Sequence, residues 1–349
     1  MCHDPLSVAA DHNTGSLTPP FTALVDLASA RVGARAIAAN DEFFAPKSNL
    51  VKPEPAIFVP GKFTARGKWM DGWETRRRRI PGHDWCVVVL GMRGVIRGVN
   101  VDTKHFSGNH PSHCSIEALD SVRQPTPALC AADGQPWVTL LAESPLRGDS
   151  DNFLQVTDSR PWTHVRLNIF PDGGVARLRV YGEVSVDWLR MSRRRSPIEF
   201  ASITNGGLVI GASDMHFGAK DNMIMPGRAA NMGDGWETRR RRGPGHDWAI
   251  VRLGTTAIIS KVEIDTNHFK GNYPESASLE GCAVHSSSLH DLDSASWLEV
   301  LPRTPLEADH RHVFTSELLK VGPVSHVRLN IFPDGGISRL RVYGRVAGH

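Results

Sequence analysis

The stretch Asp71–Arg79, with the sequence DGWETRRRR, decides the fold because it occurs again without change at Asp234–Arg242. The sequence PGHDW at Pro81–Trp85 returns at Pro244–Trp248 with the same offset of 163 residues. A period this long is the size of a domain and is too long for the short unit of a solenoid. The repetition therefore indicates a tandem duplication of one domain.

Two further repeated segments follow along the chain. The sequence DTKHFSGN, which starts at Asp102, is matched by DTNHFKGN, which starts at Asp265. The sequence HVRLNIFPDGG at His164–Gly174 returns unchanged at His326–Gly336. The duplication therefore includes polar loop residues as well as apolar strands, and it predicts two related sites.

The first part of each repeat aligns more loosely, with Asp41–Leu50 facing Asp214–Met223 once ten residues are gapped. A polar, arginine-rich segment separates the two repeats and indicates a linker. We predict a flexible N-terminal tail at residues 1–20, a first repeat at residues 21–184, a linker at residues 185–197 and a second repeat at residues 198–349.

Each repeat is predicted to be all-β. The β-branched run Trp85–Leu90 predicts a buried strand, and Val95–Thr103 predicts its antiparallel partner across a turn at Gly91–Gly94. Val165–Phe170 alternates apolar and polar residues and leads into the turn sequence Pro171–Gly174. Many short strands with Gly/Pro turns predict two tandem jelly-roll β-sandwich domains related by internal duplication.

The bulk composition excludes several classes of protein. A net charge of +3 gives no overall attraction to nucleic acid or to a membrane surface. The five cysteines form an odd set without a CxxC spacing, which argues against a disulfide framework or a zinc site and favours a cytoplasmic protein. Residues 1–16 lack the pattern of a signal peptide, and no apolar run is long enough for a membrane helix.

The repeated motifs resemble the signature of the allantoicase family. DGWETRRRR, GHDW, DT-x-HF-x-GN-x-P and NIFPDGG-x-x-RLRVYG each occur twice, in the order of that family, between about Phe43 and Tyr343. The order of features is also similar to the discoidin-like, or galactose-binding, jelly roll. The resemblance implies a homo-oligomeric enzyme of purine catabolism that hydrolyses allantoate to ureidoglycolate and urea.

This reaction sets requirements on side chains. Breaking the bond between the central carbon and a ureido nitrogen needs an acid that protonates the leaving urea and a base that activates water. The substrate carboxylate suits an arginine guanidinium, and the ureido groups suit Asp, Glu and Asn.

The catalytic candidates lie at the ends of the predicted hairpin strands. His83 and Asp84 precede the first strand, whereas Asp102, His105 and Asn109 lie at or beyond the end of the second. If the strands pair as a hairpin, its open end brings both groups to one edge of the sandwich. The candidates for catalysis in the two repeats are His83, Asp84, Asp102, His105, His246, Asp247, Asp265 and His268.

A second set of polar residues is expected to bind the substrate. These candidates are Glu74, Arg76, Asn109, Arg166, Asp172, Glu237, Arg239, Asn272, Arg328 and Asp334.

Structural roles stay open for several of these residues. His83–Asp84 also suits the cap of a turn, and Asp172 also suits the turn in which it lies. The arginine run also suits a solvated surface or a contact between subunits. Arg166 is either an outer-face residue of its strand or a clamp for the substrate carboxylate.

No cofactor is expected. Two His-Asp pairs offer ligands of the kind that a divalent metal binds, but no HExxH or HxH spacing supports such a site. The motif copies differ at Lys104/Asn267 and His110/Tyr273, which leaves open whether both repeats are active. The alternative function is a pair of non-enzymatic discoidin-like modules that bind a carbohydrate or an acidic ligand, and a nucleic-acid-binding function has still weaker support.

Overall fold

The computed structural model describes residues 18–133, 136–284 and 289–348, so most of the tail predicted for residues 1–20 lies outside the described residues, as does Cys2. The chain divides into two compact units, with the boundary between Ser185 and Val186. Each unit is a jelly-roll β-sandwich built mainly from antiparallel strands. Within the described ranges, no helix is both long and apolar enough to cross a membrane.

The first unit is made of twelve strands and one short helix. The strands are β1 (Val25–Asp26), β2 (Arg35–Ala39), β3 (Phe63–Thr64), β4 (Gly67–Lys68), β5 (Trp73–Glu74), β6 (Asp84–Asp102), β7 (His113–Leu119), β8 (Val138–Pro145), β9 (Phe153–Gln155), β10 (Pro161–Phe170), β11 (Gly174–Val175) and β12 (Arg177–Val184), and the helix is α1 (Pro127–Ala131). The 3-10 helices are Pro20–Ala23, Ala30–Val32 and Lys47–Val51.

The second unit repeats this order without counterparts of β3 and β4. Its strands are β13 (Ile198–Glu199), β14 (Leu208–Ala212), β15 (Trp236–Glu237), β16 (Asp247–Asp265), β17 (Ser276–Cys282), β18 (Leu298–Pro305), β19 (Arg311–Phe314), β20 (Val324–Phe332), β21 (Gly336–Ile337) and β22 (Arg339–Val346). Its α-helices are α2 (Trp188–Ser192) and α3 (Leu289–Asp293), and its 3-10 helices are Ile203–Asn205, Lys220–Ile224 and Met232–Asp234. Helix α2 lies in the segment predicted to be a linker, and its Trp188 stacks on Phe200.

Equivalent strands have equivalent neighbours in the two units. The main sheet of the first unit has the order β1-β12-β6-β10-β7-β8, and that of the second has the order β13-β22-β16-β20-β17-β18. Two additional strands pair with the long central strand of each unit, and a small two-stranded sheet, β5-β11 or β15-β21, lies outside the main sheet. The hairpin β3-β4 is found among the described residues of the first unit only.

The predicted hairpin between Trp85–Leu90 and Val95–Thr103 is wrong, because β6 runs through both segments as one strand of 19 residues. Its first half pairs with β2 and its second half with β9 and β12, so the strand is shared between the layers of the sandwich. A Cβ on Gly91 would lie 2.4 Å from the carbonyl oxygen of Val32, and one on Gly94 would lie 2.7 Å from that of Glu183. These glycines therefore permit close backbone packing and do not form a turn.

Both ends of β6 still lie at one edge of the first unit. Asp84 pairs with Ile169 near the end of β10, and Asp102 pairs with Arg177 at the start of β12. Only a short segment, which includes β11, connects β10 to β12. The two ends of β6, which pair with these strands, therefore approach the same edge of the sandwich. The functional candidates at those ends therefore lie in the same region of the unit.

The core next to this edge is built around one aromatic ring in each unit. Phe106 is buried, and its ring fills the space beside Gly72 and Gly174, where a Cβ would lie 2.7 Å and 2.0 Å from ring atoms. Phe269 packs in the same way against Gly235 and Gly336. The glycines of the DGWE and PDGG motifs therefore let the loop after the long strand pack against the small sheet.

A buried histidine predicts how stability depends on pH. His326 is 1% exposed, and its Nδ1 lies 2.9 Å from the hydroxyl of Ser325, while its Nε2 has no hydrogen-bond partner among the described residues. Burial, assisted by the charge of Arg252, lowers the pKa of His326 from the ordinary 6.5 to about 4. Between these two pH values the unfolded chain binds the proton and the folded chain does not.

Stability is therefore expected to fall as the pH is lowered from 6.5 towards 4, by about 2–3 kcal/mol from this group. The measurement is urea denaturation of the wild type and of His326→Gln at several pH values across this range. The variant is expected to be less stable at neutral pH but to lose less stability on acidification. Parallel pH curves for the two proteins would refute the assignment.

Candidate functional site

The small sheet places Glu74 at the edge where β6 ends. Trp73 and Glu74 form β5, in which successive side chains point to opposite faces. The Trp73 side chain is fully buried, and its indole N–H donates to the carbonyl of Asp41 at 2.8 Å. Because Trp73 faces the core, Glu74 faces away from it, opposite Gly174 of β11 in the strand pairing.

Asn109 holds the Glu74 carboxyl group. Its side-chain amide donates to Glu74 Oε1 at 2.7 Å, and its own carbonyl oxygen accepts the N–H of Gly174 at 2.8 Å. In the second unit the Asn272 amide donates to Glu237 Oε1 in the same way, and its carbonyl accepts the N–H of Gly336. The Glu–Asn pair is thus built twice from the same backbone contacts.

His105 follows β6 in a left-handed backbone conformation, with φ of 70°. Its N–H donates to Asp149 Oδ1 at 2.8 Å, which stabilises a conformation that is uncommon outside glycine. Its Nε2 lies 3.1 Å from the carbonyl oxygen of Ala56, and a carbonyl only accepts hydrogen bonds, so Nε2 carries the proton of the neutral ring. The lone pair of His105 is therefore on Nδ1, where it can accept a proton.

His268 repeats this arrangement in the second unit. Its φ is 73°, its N–H donates to Asp309 Oδ1 at 2.6 Å, and its Nε2 lies 3.0 Å from the carbonyl oxygen of Ala229. The strained backbone and the fixed ring tautomer are therefore shared features of both repeats.

A cavity of about 420 Å³ opens over the Glu–Asn–His cluster of the first unit. Its volume is in the range that a small organic molecule occupies. The residues that line it are Phe44, Lys68, Met70, Glu74, His105, Ser107, Gly108 and Asn109. The cavity combines a carboxyl group, an imidazole, an amide and an ammonium group, which together suit a polar, anionic ligand.

The surroundings of Glu74 favour its protonated form. Burial raises the pKa of Glu74, while the hydrogen bond from Asn109 and the charge of Lys68 lower it by less. Glu74 therefore keeps its proton to a higher pH than an ordinary glutamate, which is the property that a general acid needs.

Asp84 is not among the residues that line this cavity, although it and its counterpart in the second unit, Asp247, were expected to be catalytic. Asp84 is buried and accepts hydrogen bonds from Arg78 Nη1 at 3.0 Å and from the Asn40 amide at 2.9 Å. Asp247 is bound by Arg241 Nη2 at 2.5 Å and by a serine hydroxyl. Each of these buried carboxylates is therefore held by an arginine of the protein, and a catalytic role for them stays a prediction.

His83 and His246 lie beside these anchors. The ring centroid of His83 is 4.9 Å from that of Phe170, and the centroid of His246 is 4.7 Å from that of Phe332. Burial lowers the pKa of His246, and its Nε2 lies 3.3 Å from Asn330 Oδ1. In the first unit, His83 is not among the residues that line the cavity next to His105.

Asp102 and Asp265 each accept a hydrogen bond from the loop that follows their strand. Asp102 Oδ1 accepts the N–H of Lys104 at 2.8 Å, and Asp265 Oδ1 accepts that of Asn267 at 2.9 Å. These bonds form the turn that leads to His105 or His268. Burial raises the pKa of Asp102. Asp265 borders a different cavity of about 330 Å³, in which Arg311, Arg339 and Arg341 contribute to the lining.

The arginine and aspartate residues expected to bind substrate mostly form ion pairs or hydrogen bonds with other residues of the chain. Arg76 pairs with Asp41 at 2.6 Å, and Asp172 Oδ2 accepts the backbone N–H of Arg78 at 2.8 Å. The second unit repeats these contacts in the pairs Arg239–Asp214 and Asp334–Arg241. The four-arginine runs are therefore fixed to the turn before β11 or β21 by acidic residues.

Arg166 is buried, and it is not among the residues that line the cavity. It is 2% exposed, its Nη2 lies 2.6 Å from Glu117 Oε2, and its Nη1 donates to the carbonyls of Cys130 and Ala132. Arg328 pairs with Glu280 at 2.7 Å in the same position of the second unit. The guanidinium groups of Arg166 and Arg328 are thus each paired with a glutamate of the same unit.

Across the described ranges, no group of three or more His, Cys, Asp or Glu side chains has the arrangement of a metal site. His83 and Asp84 lie outside the cavity that His105 borders. The carboxylate of Asp71 accepts hydrogen bonds from Lys52 and Arg177.

Sequence reasoning missed Lys68, Phe44 and Met70 as lining residues. Lys68 lies in the segment where the two repeats differ in length, and the analysis of repeated motifs selects only shared positions. The available signal for Lys68 is a lysine close to the shared DGWE motif that the second repeat does not have at the same position.

Comparison with known proteins adds an independent finding. A family model described as the allantoicase repeat matches residues 25–185 and 198–347. The probable allantoicase 1 of Burkholderia mallei is 50% identical over 329 residues, which cover 93% of this chain and 96% of that protein. A probable allantoicase of Pseudomonas aeruginosa is 47% identical over 332 residues, which cover 93% and 97%. The crystal structure of allantoicase from Saccharomyces cerevisiae matches with a TM-score of 0.77 and 34% identity, covering 92% of each chain.

Proposed function

The chain belongs to the allantoicase family, and on this premise we propose that it hydrolyses allantoate to ureidoglycolate and urea at the Glu74 cavity. One observation carries the location: the Glu–Asn–His cluster is built in both repeats and, in the first, borders a cavity that fits a small molecule. The enzyme is thus a hydrolase that acts on a carbon–nitrogen bond of a linear amidine.

The reaction breaks the bond between the central carbon of allantoate and one ureido nitrogen. The lone pair of the retained ureido nitrogen forms a double bond to that carbon as urea leaves. The leaving nitrogen takes one proton from an acid, and water then adds its hydroxyl to the carbon and gives its proton to a base. The products are urea and ureidoglycolate, and the net change is the addition of one water molecule.

Glu74 is the proposed acid, because burial raises its pKa, which favours the protonated form, and Asn109 fixes its orientation. His105 is the proposed base, because its fixed tautomer leaves the lone pair on Nδ1. A proton that passes from the His105 imidazolium to the Glu74 carboxylate restores both groups. Acid and base then act from two residues of one cavity.

We also propose that the reaction needs no bound cofactor, and that the protein acts as a cytoplasmic homo-oligomer. The acid and the base of the cavity supply the proton transfers that the reaction requires. The family resemblance supports the oligomer and the location.

The proposal predicts that purified protein releases one urea from each allantoate and forms ureidoglycolate. Urea is measured with a coupled assay and ureidoglycolate by mass spectrometry, with and without a metal chelator and added manganese. The expected result is turnover that the chelator does not reduce. An absence of urea under all conditions would rule out the proposed activity, and retention on an immobilised carbohydrate would then favour a binding module.

A further inference from the structure

We propose that Lys68 binds the carboxylate of the substrate, and that the first repeat is therefore the one that selects an anionic diureido acid. This inference rests on the function proposed above and concerns the same cavity. The role of carboxylate partner had been expected of an arginine, but Arg76, Arg78 and Arg166 are each paired with a carboxylate of the protein.

Lys68 is held at the cavity by the β3-β4 hairpin, which has no counterpart among the described residues of the second repeat. It is the last residue of β4, in which it pairs with Phe63 of β3. The base of the hairpin is closed by a hydrogen bond from the N–H of Trp69 to the carbonyl of Lys62 at 3.0 Å. The tip is tied to the sandwich by Arg66, whose Nη1 donates to the carbonyl of Phe43 at 2.9 Å. The backbone at Lys68 is thus held by an anchored hairpin.

The side chain of Lys68 faces the same wall as His105. Its Nζ lies 4.5 Å from the centroid of the Phe58 ring, and that ring stacks on the His105 imidazole with 6.0 Å between centroids. Lys68 also acts on the charge of Glu74 across the cavity. The side chain of Lys68 therefore borders the cavity that both proposed proton-transfer residues line.

Lys68 differs from Lys52 and Lys104, two other lysines of this region, in having no anionic partner among the described residues. Among the residues that the structure describes, no carboxylate lies within ion-pair distance of its Nζ. Lys52 and Lys104, by comparison, pair with Asp71 and Asp151 at 2.9 Å and 2.7 Å. An unpaired ammonium group, together with a carboxyl group whose pKa is raised by burial and an amide, is complementary to a ligand with one carboxylate and neutral ureido groups.

The second repeat offers a different set of groups at the equivalent positions. The alignment across the DGWE motif places Asn231 opposite Lys68, and the neighbouring Met232 sulfur lies 3.4 Å from the Asn272 amide. The second repeat has Lys270 opposite Ser107, on the loop that carries His268. Charge selection by the hairpin is therefore specific to the first repeat, and Lys270 is the residue to compare with Lys68.

The test compares allantoate with its neutral amide, diureidoacetamide, in steady-state kinetics of the full-length protein. Lys68→Met is expected to raise KM for allantoate by about 10–100-fold while leaving kcat/KM for the amide within about twofold, since one charge-assisted contact is lost. Lys68→Arg is expected to restore most of the preference for the acid. Lys62→Met is the matched control on the same hairpin, where Lys62 lies over the Trp69 ring, and it should behave as the wild type.

Three results would overturn the inference. Lys68→Met could keep the wild-type preference for the acid over the amide, or Lys62→Met could lose it to the same extent, which would indicate a distorted hairpin. Loss of the preference in Lys270→Met, with Lys68→Met unchanged, would assign selection to the second repeat. Failure of the proposed function is distinguishable, because the wild-type protein would then release no urea from allantoate before any variant is compared.

Discussion

Replacing Glu74 by glutamine is expected to reduce kcat for urea release by about 10²–10⁴-fold, because the leaving urea would lose its proton donor. Glutamine has the shape of glutamate and can still accept the hydrogen bond from Asn109, so the cavity and the fold should persist. The measurement is steady-state kinetics with allantoate, together with a thermal unfolding curve that establishes an intact fold. KM should change far less than kcat, since the contact with the acid matters most in the transition state.

The pH profile gives an independent readout of the same residue. Burial raises the pKa of Glu74, and an acid acts only in its protonated form, so kcat should fall as the pH rises through that raised pKa. This limb of the profile should be absent from the residual activity of Glu74→Gln. A variant that retained both the wild-type rate and this limb would exclude Glu74 as the acid.

Two matched substitutions separate this role from general effects. Glu42→Gln removes a more exposed carboxylate that pairs with Lys47 outside the cavity, and it should leave kcat unchanged. Glu237→Gln removes the counterpart of Glu74 in the second repeat. If only the first repeat turns over substrate, this variant keeps most of the activity, whereas two equal sites would each contribute about half.

The duplicated fold could be predicted because its signals are local and occur twice. The alternation in Val165–Phe170 and the turn at Pro171–Gly174 are found as the end of β10 and the connection to β11. The continuous strand β6 was missed because Gly91 and Gly94 were interpreted as turn residues. Glycine is also needed where two backbones approach closely, and only the neighbouring carbonyls of Val32 and Glu183 distinguish these two uses.

The candidate site was harder to predict because a sequence does not show which charges neutralise each other. Asp84 had the residue type and position of a catalytic acid, yet Arg78, six residues earlier, occupies its carboxylate. Glu74 was expected to bind substrate, and the burial that raises its pKa depends on loops distant in sequence. Repeat comparison selected His105 and Asn109, but it was uninformative at Lys68, which lies where the repeats diverge.

A buried ion pair of the first unit lies behind this site. Arg177 is 1% exposed and Asp71 is 6% exposed, and Arg177 Nη2 lies 2.7 Å from Asp71 Oδ2. The same guanidinium donates to the carbonyl of Glu54 at 2.9 Å and to that of Asp71 at 2.8 Å. It therefore ties β12 to the DGWE segment and to the chain that leads into the β3-β4 hairpin.

Arg177→Met is expected to destabilise the first unit by about 3–5 kcal/mol, because it leaves the buried Asp71 carboxylate with Lys52 as its remaining cationic partner. Hydrogen exchange with mass spectrometry on the full chain measures the effect separately in peptides of each unit. Protection should fall in β12 and β5 of the first unit and stay unchanged in β22 and β15 of the second.

Arg76→Met is the control for loss of an arginine, because Arg76 is 64% exposed and its pair with Asp41 is expected to contribute less than about 1 kcal/mol. Arg339→Met tests the counterpart in the second unit, where Asp234 is 20% exposed and better solvated than Asp71, so the loss should be smaller. Equal loss of protection in Arg76→Met and Arg177→Met would show that burial of the ion pair does not determine its contribution. A loss confined to Arg177→Met would identify this pair as the element that holds the hairpin, and with it Lys68, against the sandwich.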